Sequence, residues 1–74
     1  MTYDEMLQQG KPRWVVVDLN LNEIYAEEWS YTYAQFDALD AEQEKERYMH
    51  DIRIYDRMSE LDCQIVEDYF HKKE

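Results

Sequence analysis

The amino-acid sequence predicts a small α+β protein that consists of a short N-terminal helix, a two-stranded antiparallel β-hairpin and a C-terminal helical part. Three observations support this prediction. The only glycine and proline, Gly10 and Pro12, lie close together and separate a short first segment from the rest. Two runs rich in β-branched and aromatic residues follow, and after them the apolar residues recur at helical spacing. A chain of 74 residues is expected to form a single domain over residues 1–74.

The first helix is predicted over residues 3–9. Thr2 and Glu5 have the spacing of a capping box, in which each side chain accepts a hydrogen bond from the other residue's backbone N–H. Gly10 is suited to the left-handed backbone conformation that ends many helices. A helix of about two turns is weak by itself, so we expect this one to fray.

The β-hairpin is predicted over residues 13–29. Its two strands are RWVVVDL and IYAEEW, and residues 20–23 between them have the composition of a four-residue turn. The register that follows from this turn places Trp14 directly across from Trp29, on the face opposite to the expected core.

Residues 33–72 are predicted to be helical. Thr32 begins a sequence of capping-box form, and Asp40 begins a second one. Two alternatives follow: a short helix over residues 33–39 and a long helix over residues 41–72, or one continuous helix.

The long helix has an unusually broad apolar side. On a helical wheel, the apolar side chains of residues 48–70 cover an arc of about 200°, which is wider than a two-stranded ribbon can bury. Part of this arc is therefore expected to contact a second copy of the chain or a partner. Residues with the 4-3-4 spacing of a short helix–helix seam mark the predicted contact: Ile54, Met58, Leu61 and Ile65.

Negative charge is concentrated in one part of the chain. The formal net charge is −10, and no Lys, Arg or His lies between Arg13 and Lys45. The acids of this region are Asp18, Glu23, Glu27, Glu28, Asp37, Asp40, Glu42 and Glu44. The aromatic residues among them that are expected near solvent are Trp14, Tyr25 and Trp29. Because carboxylates attract basic proteins and exposed Trp and Tyr anchor interfaces, these residues predict a surface that binds a basic partner.

No catalytic residue, metal site or cofactor is predicted. Asp18, Asn20 and Asn22 match the start of an EF-hand loop, but Glu23 replaces the glycine of its sharp turn and Trp29 replaces the bidentate glutamate. The chain also lacks a glycine-rich phosphate-binding loop. The protein is therefore not expected to be an enzyme.

Charge and cysteine content bear on partners and location. The few basic residues alternate with acids, so direct binding to nucleic acid is not expected. Cys63 is the only cysteine, which is typical of a reducing cytoplasm. The first residues lack the basic and apolar pattern of a signal peptide, and no stretch is apolar enough to cross a bilayer. We expect a cytoplasmic protein that does not bind membranes.

The profile of this chain resembles the small acidic inhibitors that phages and mobile elements encode, including anti-restriction, anti-CRISPR and repressor-blocking proteins that mimic DNA. The resemblance lies in size, charge and aromatic content over the whole chain. It implies an inhibitor that blocks a basic nucleic-acid-binding protein, in the host-cell cytoplasm if the protein is phage-encoded. The alternative is a homodimeric helical module with a regulatory or structural role, whose acids serve only solubility.

Overall fold

The computed structural model describes residues 1–44 and 51–70. In chain order, the elements are α1 (Tyr3–Gln9), β1 (Trp14–Asp18), β2 (Glu23–Glu28), α2 (Tyr31–Gln43), β3 (Ile52–Asp56), α3 (Glu60–Ile65) and a π-helical segment (Val66–Phe70). The α+β class is confirmed. The sheet contains three strands rather than the two that were predicted.

The short helix α1 begins and ends where the sequence predicts. The Glu5 backbone N–H donates to Thr2 Oγ1 at 3.2 Å, and the Thr2 backbone N–H donates to Glu5 Oε1 at 2.9 Å, which completes the capping box. These hydrogen bonds hold the pKa of Glu5 below its usual value. Gly10 ends the helix at a φ of 64°, which a residue without Cβ adopts at little cost.

The sheet has the order β2-β1-β3, and both outer strands are antiparallel to the central β1. The outer strands are therefore parallel to each other, and the chain must cross a face of the sheet to connect them. The helix α2 lies in this crossover connection and contacts all three strands.

The predicted hairpin is confirmed, but its predicted register is wrong. The Cα partner of Trp14 is Glu28 rather than Trp29, and Val16 pairs with Ala26 while Val17 pairs with Ile24. A β-bulge between these last two pairs adds one residue to β2, and a shift of one residue exchanges the faces of a strand. The turn composition did not reveal this bulge.

The predicted long helix is wrong because Ile52–Asp56 is a strand. Ile52 and Ile54 alternate with Arg53 and Tyr55, which is the period of two that a strand requires. The apparent arc of about 200° arose because this strand was placed on a helical wheel. Residues 45–50 and 71–74 of the predicted helix lie outside the described residues.

The helix boundaries also differ from the prediction. The helix α2 has Ser30 rather than Thr32 at its N-cap, and it continues through Asp40 to Gln43 without a break. In α3, Ser59 is the N-cap, and its side chain accepts a hydrogen bond from the backbone N–H of Asp62.

The predicted seam does not form one helical stripe. Ile54 lies in β3, Met58 lies in the turn after it, and Leu61 and Ile65 lie in α3. Ile65 packs against the core, whereas Met58 and Leu61 are exposed.

The two faces of the sheet pack against different layers. On one face, Val15 and Val17 form a buried cluster with Val66 and Phe70. Half-buried side chains complete this core: Leu19, Ile24, Tyr55 and Ile65. Val16 is also fully buried, and strand alternation directs it to the other face, which α2 covers.

A buried arginine joins the first face to the N-terminal segment. The side chain of Arg57 is fully buried, and its guanidinium donates to the Pro12 carbonyl at 2.7 Å. It also pairs with Glu27 of β2 at 2.6 Å and with Glu67 of the π-helical segment at 3.2 Å. Lys11 pairs with Glu67 as well. Burial would raise the pKa of Glu67, but these two cations hold it below its usual value.

We expect Arg57→Ala to destabilise the protein by roughly 3–5 kcal/mol, because it leaves Glu27 without its cation, removes one of the two cations of Glu67 and leaves the Pro12 carbonyl without its donor. Urea unfolding followed by circular dichroism measures this loss. The control is Arg53→Ala, since that arginine is 62% exposed and lies 3.8 Å from Asp51. The control should cost no more than about 1 kcal/mol. Equal effects of the two substitutions would contradict a structural role for the buried guanidinium.

Candidate protein-binding surface

The helix α2 presents small side chains to the sheet and large ones to solvent. Ala34 and Ala41 are fully buried, and Ala38 between them is half-buried. The side chains that point away from the alanines form a surface that we call the α2 outer face: Tyr33, Phe36, Leu39 and Asp40, with exposed Glu42 at its edge. Its three large apolar side chains are 52–63% exposed. An amphipathic helix normally has the reverse arrangement, so this outer face is a candidate binding surface.

Asp18 does not belong to an exposed surface, and its contact with a partner stays a prediction. Its side chain is only 1% exposed. One carboxylate oxygen accepts hydrogen bonds from the backbone N–H groups of Asn20 at 2.9 Å and Leu21 at 3.2 Å. Asp18 therefore organises the hairpin loop, as an Asx turn does.

Glu27 is also engaged within the fold. It forms the ion pair with Arg57 described above, and its side chain is 31% exposed. The bulge in β2 places it beside Val15, on the face that the π-helical segment covers. This engagement was not foreseen, because a count of charges does not show which carboxylate a buried arginine will bind.

Glu28 and Asp37 contact each other between β2 and α2. Their carboxyl groups share a hydrogen bond, and this bond, burial and the charge of Asp37 raise the pKa of Glu28. Asp37 Oδ2 is closed to solvent and receives no hydrogen bond from any N–H or hydroxyl group of the described residues. Two ionised carboxylates cannot share a hydrogen bond, so this contact favours the protonated form of Glu28.

The other predicted acids lie at the surface. Asp40 and Glu42 are exposed on α2, Glu23 is exposed at the start of β2, and Glu44 is exposed just after α2. Their contact with a partner remains a prediction. The continuous acidic face expected over residues 14–44 is reduced to these positions.

The predicted aromatic residues do not form one face either. Trp14 is half-buried, packs on Tyr31 with ring centroids 4.7 Å apart, and lies beneath the guanidinium of Arg13 at 4.6 Å. Trp29 lies beyond the end of β2, is 42% exposed, and meets the Tyr3 ring edge-on at 5.8 Å. Tyr25 lies at the bulge and is half-buried.

The fold holds most of the described cations in ion pairs. Arg57 is buried, and Lys11 is held by Glu67. Arg13 donates two hydrogen bonds to Asp56, at 2.9 and 3.0 Å, and this contact is the main reason why the pKa of Asp56 is lowered. Because these three cations pair with other carboxylates, they do not neutralise the exposed carboxylates of α2.

Sequence reasoning missed the apolar members of the α2 outer face. The available signal was the spacing of Ala34, Ala38 and Ala41, which lie four and three residues apart and therefore share one side of a helix. A stripe of small residues allows a helix to approach a sheet closely. Its position predicts that Phe36 and Leu39 point away from the sheet.

Two further kinds of site were sought in the described part of the chain. None of its helices is long and apolar enough to cross a membrane. No three of its His, Cys, Asp or Glu side chains lie where they could hold a metal ion.

No protein-family model, curated protein or solved structure matches this chain.

We expect Ala41→Leu to destabilise the protein by about 1–3 kcal/mol, because the added carbon atoms must enter the contact between α2 and the sheet. Leu39→Ala should change stability by less than about 0.5 kcal/mol, because Leu39 is exposed and not part of the core. Thermal or urea unfolding of both variants provides the measurement. If Leu39→Ala costs as much as a core substitution, the assignment of the outer face is wrong.

Proposed function

We propose that this protein is a small acidic inhibitor that binds a basic nucleic-acid-binding protein and blocks its access to nucleic acid. The observation that carries this proposal is the α2 outer face, where exposed Phe36 and Leu39 lie on the same helix as exposed Asp40 and Glu42. Arginine side chains suit such a surface, because a guanidinium can pair with a carboxylate and stack on an aromatic ring.

Charge determines which partner this surface favours. The chain carries a formal net charge of −10, and three of the described cations are held in ion pairs. A nucleic-acid-binding groove is rich in Lys and Arg and attracts a dense array of negative charge. An acidic surface that occupies this groove competes with nucleic acid directly. This mode of action is that of the DNA-mimicking inhibitors of phages and mobile elements, and it would operate in the host cytoplasm.

The apolar side chains of the α2 outer face supply binding affinity that charge alone does not. Exposed ion pairs contribute little affinity and are screened by salt. Interfaces depend instead on a few large anchoring side chains that lose water on binding. Phe36, which is 57% exposed, lies between Tyr33 and Leu39 along the helix and is the expected centre of the contact.

The proposal can be tested with a panel of purified basic proteins: a restriction endonuclease, an RNA-guided nuclease and a DNA-binding repressor. We expect at least one to bind with an affinity that falls steeply with added salt. Duplex DNA or RNA should compete with the inhibitor. Binding that is insensitive to salt and to competing nucleic acid, or no binding to any basic protein, would falsify the proposal.

Two matched triple variants locate the surface. The first combines Phe36→Ala, Asp40→Asn and Glu42→Gln. We expect it to weaken binding more than about tenfold, because it removes a central anchor and two carboxylates.

The control variant makes the same kinds of change on α3 and the π-helical segment, namely Leu61→Ala, Glu60→Gln and Asp68→Asn. All three of these residues are exposed. This variant changes the net charge by the same amount, so it should retain binding if the contact is local to α2. Equal losses in both variants would indicate non-specific charge attraction.

A homodimeric regulatory or structural module is the second candidate. The observation that favours it is the exposure of Met58 and Leu61, at 44% and 68%. In that case Leu61→Asp should convert a dimer to a monomer, as measured by light scattering, and should abolish activity. The triple variant of α2 should remain active. The two candidates therefore predict opposite results for the same pair of surfaces.

A further inference from the structure

The attachment of α2 to the sheet depends on few contacts. Its buried side chains are alanines, which remove little apolar surface from water. The side chain of Ser30 forms no capping hydrogen bond at the start of the helix. Tyr31 packs on Trp14 at this first turn. Further along, the polar contact with the sheet is the one between Asp37 and Glu28.

Among the described residues, most charged groups near this carboxyl pair are acids. Glu28, Trp14 and Asp56 are register neighbours across the three strands, on the face that α2 covers. Arg13 brings a positive charge to this row, but both of its hydrogen bonds go to Asp56. The other charged groups of the sheet on this face are Asp18 and Glu23, at the opposite end of the strands. The helix adds only further acids after Asp37, namely Asp40 and Glu42, with Glu44 following its last residue.

We propose that Glu28 and Asp37 form a proton-dependent latch, in which one shared proton fastens α2 to β2 and its loss releases this side of the helix. The geometry favours a shared proton, because Asp37 Oδ2 is closed to solvent and no N–H or hydroxyl group of the described residues donates to it. Without the proton, two negative charges face each other where water has limited access. This inference does not depend on the proposed function.

The direction of the pH dependence follows from the raised pKa of Glu28. Its usual value is 4.5, and the folded protein binds the proton more tightly than the unfolded chain does. The stabilisation is therefore complete below pH 4.5 and is lost as the pH rises through the raised value. Asp56 and Glu67 act in the opposite direction, because their lowered pKa values stabilise the fold at higher pH and this stabilisation is lost in acid.

The test compares the wild type with Glu28→Gln over a range of pH. The amide keeps a hydrogen-bond donor for Asp37 but does not titrate. Backbone amide exchange within α2, corrected for the intrinsic effect of pH, reports the local opening of the helix. In the wild type, protection of the α2 amides should fall by up to about tenfold per pH unit between pH 4.5 and the raised pKa of Glu28, and it should level off above that pKa. In the variant this fall should be absent.

Asp40→Asn is the matched control, since it removes one carboxylate from the exposed side of the same helix. It should leave the pH dependence of α2 protection unchanged. The proposal is overturned if the wild type shows no such fall, or if the control removes the fall as Glu28→Gln does.

A second measurement does not require the Gln variant to fold normally. Carbon-13 NMR titration of the Glu28 carboxyl in the wild type should give a midpoint above 4.5. Asp37→Asn should return this midpoint toward the usual value, because the partner charge is removed, whereas Asp40→Asn should not. A midpoint at the usual value in the wild type would exclude a shared proton.

Discussion

The buried guanidinium of Arg57 is the constraint on which the rest of the structure depends. It links β2, the π-helical segment and the carbonyl of Pro12, which are distant in sequence. A charge without access to water must be matched by carboxylates and hydrogen-bond acceptors, so the elements that supply them cannot separate without a large penalty. A chain of 74 residues with a single cysteine has no internal disulfide to provide such a link. Arg57 therefore fixes the relative position of elements that a small apolar core would hold only weakly.

This constraint divides the acids into two groups. Glu27 and Glu67 serve the buried cation, and Asp56 serves Arg13, so these carboxylates stabilise the fold. On the α2 side, the exposed acids of the helix are Asp40 and Glu42. Glu28 and Asp37 form the proposed proton-dependent latch, and the exposed positions on the helix remain for contact with solvent or a partner. The high negative charge of residues 14–44 thus has several physical roles, of which only one concerns binding.

Local signals in the sequence identified some elements and missed others for specific reasons. The helix α1 was predicted with its capping box, because Thr2, Glu5 and Gly10 act within a few residues. The hairpin was predicted, but the bulge was not. The bulge places Glu27 where it pairs with Arg57, and this pairing is a tertiary contact that the local sequence does not show. The strand β3 was missed because a period of 3.6 was applied across residues 48–70 without testing a period of two at Ile52–Asp56. The burial of Asp18 and the orientation of α2 depend on contacts with other elements, which local patterns do not contain.

The orientation of α2 supports a role for its outer face. Rotating the helix to bury Phe36 and Leu39 would gain roughly 1.5–3 kcal/mol for each side chain, much more than its alanines contribute. The bulk of these side chains would also move the helix away from the sheet and separate Asp37 from Glu28, so the thin alanine contact and the carboxyl pair act together. The folded protein therefore leaves apolar area in water that its own core does not use. Under the proposed function, a partner that covered this area would recover the lost hydrophobic free energy, and the neighbouring carboxylates would favour a partner with cationic side chains.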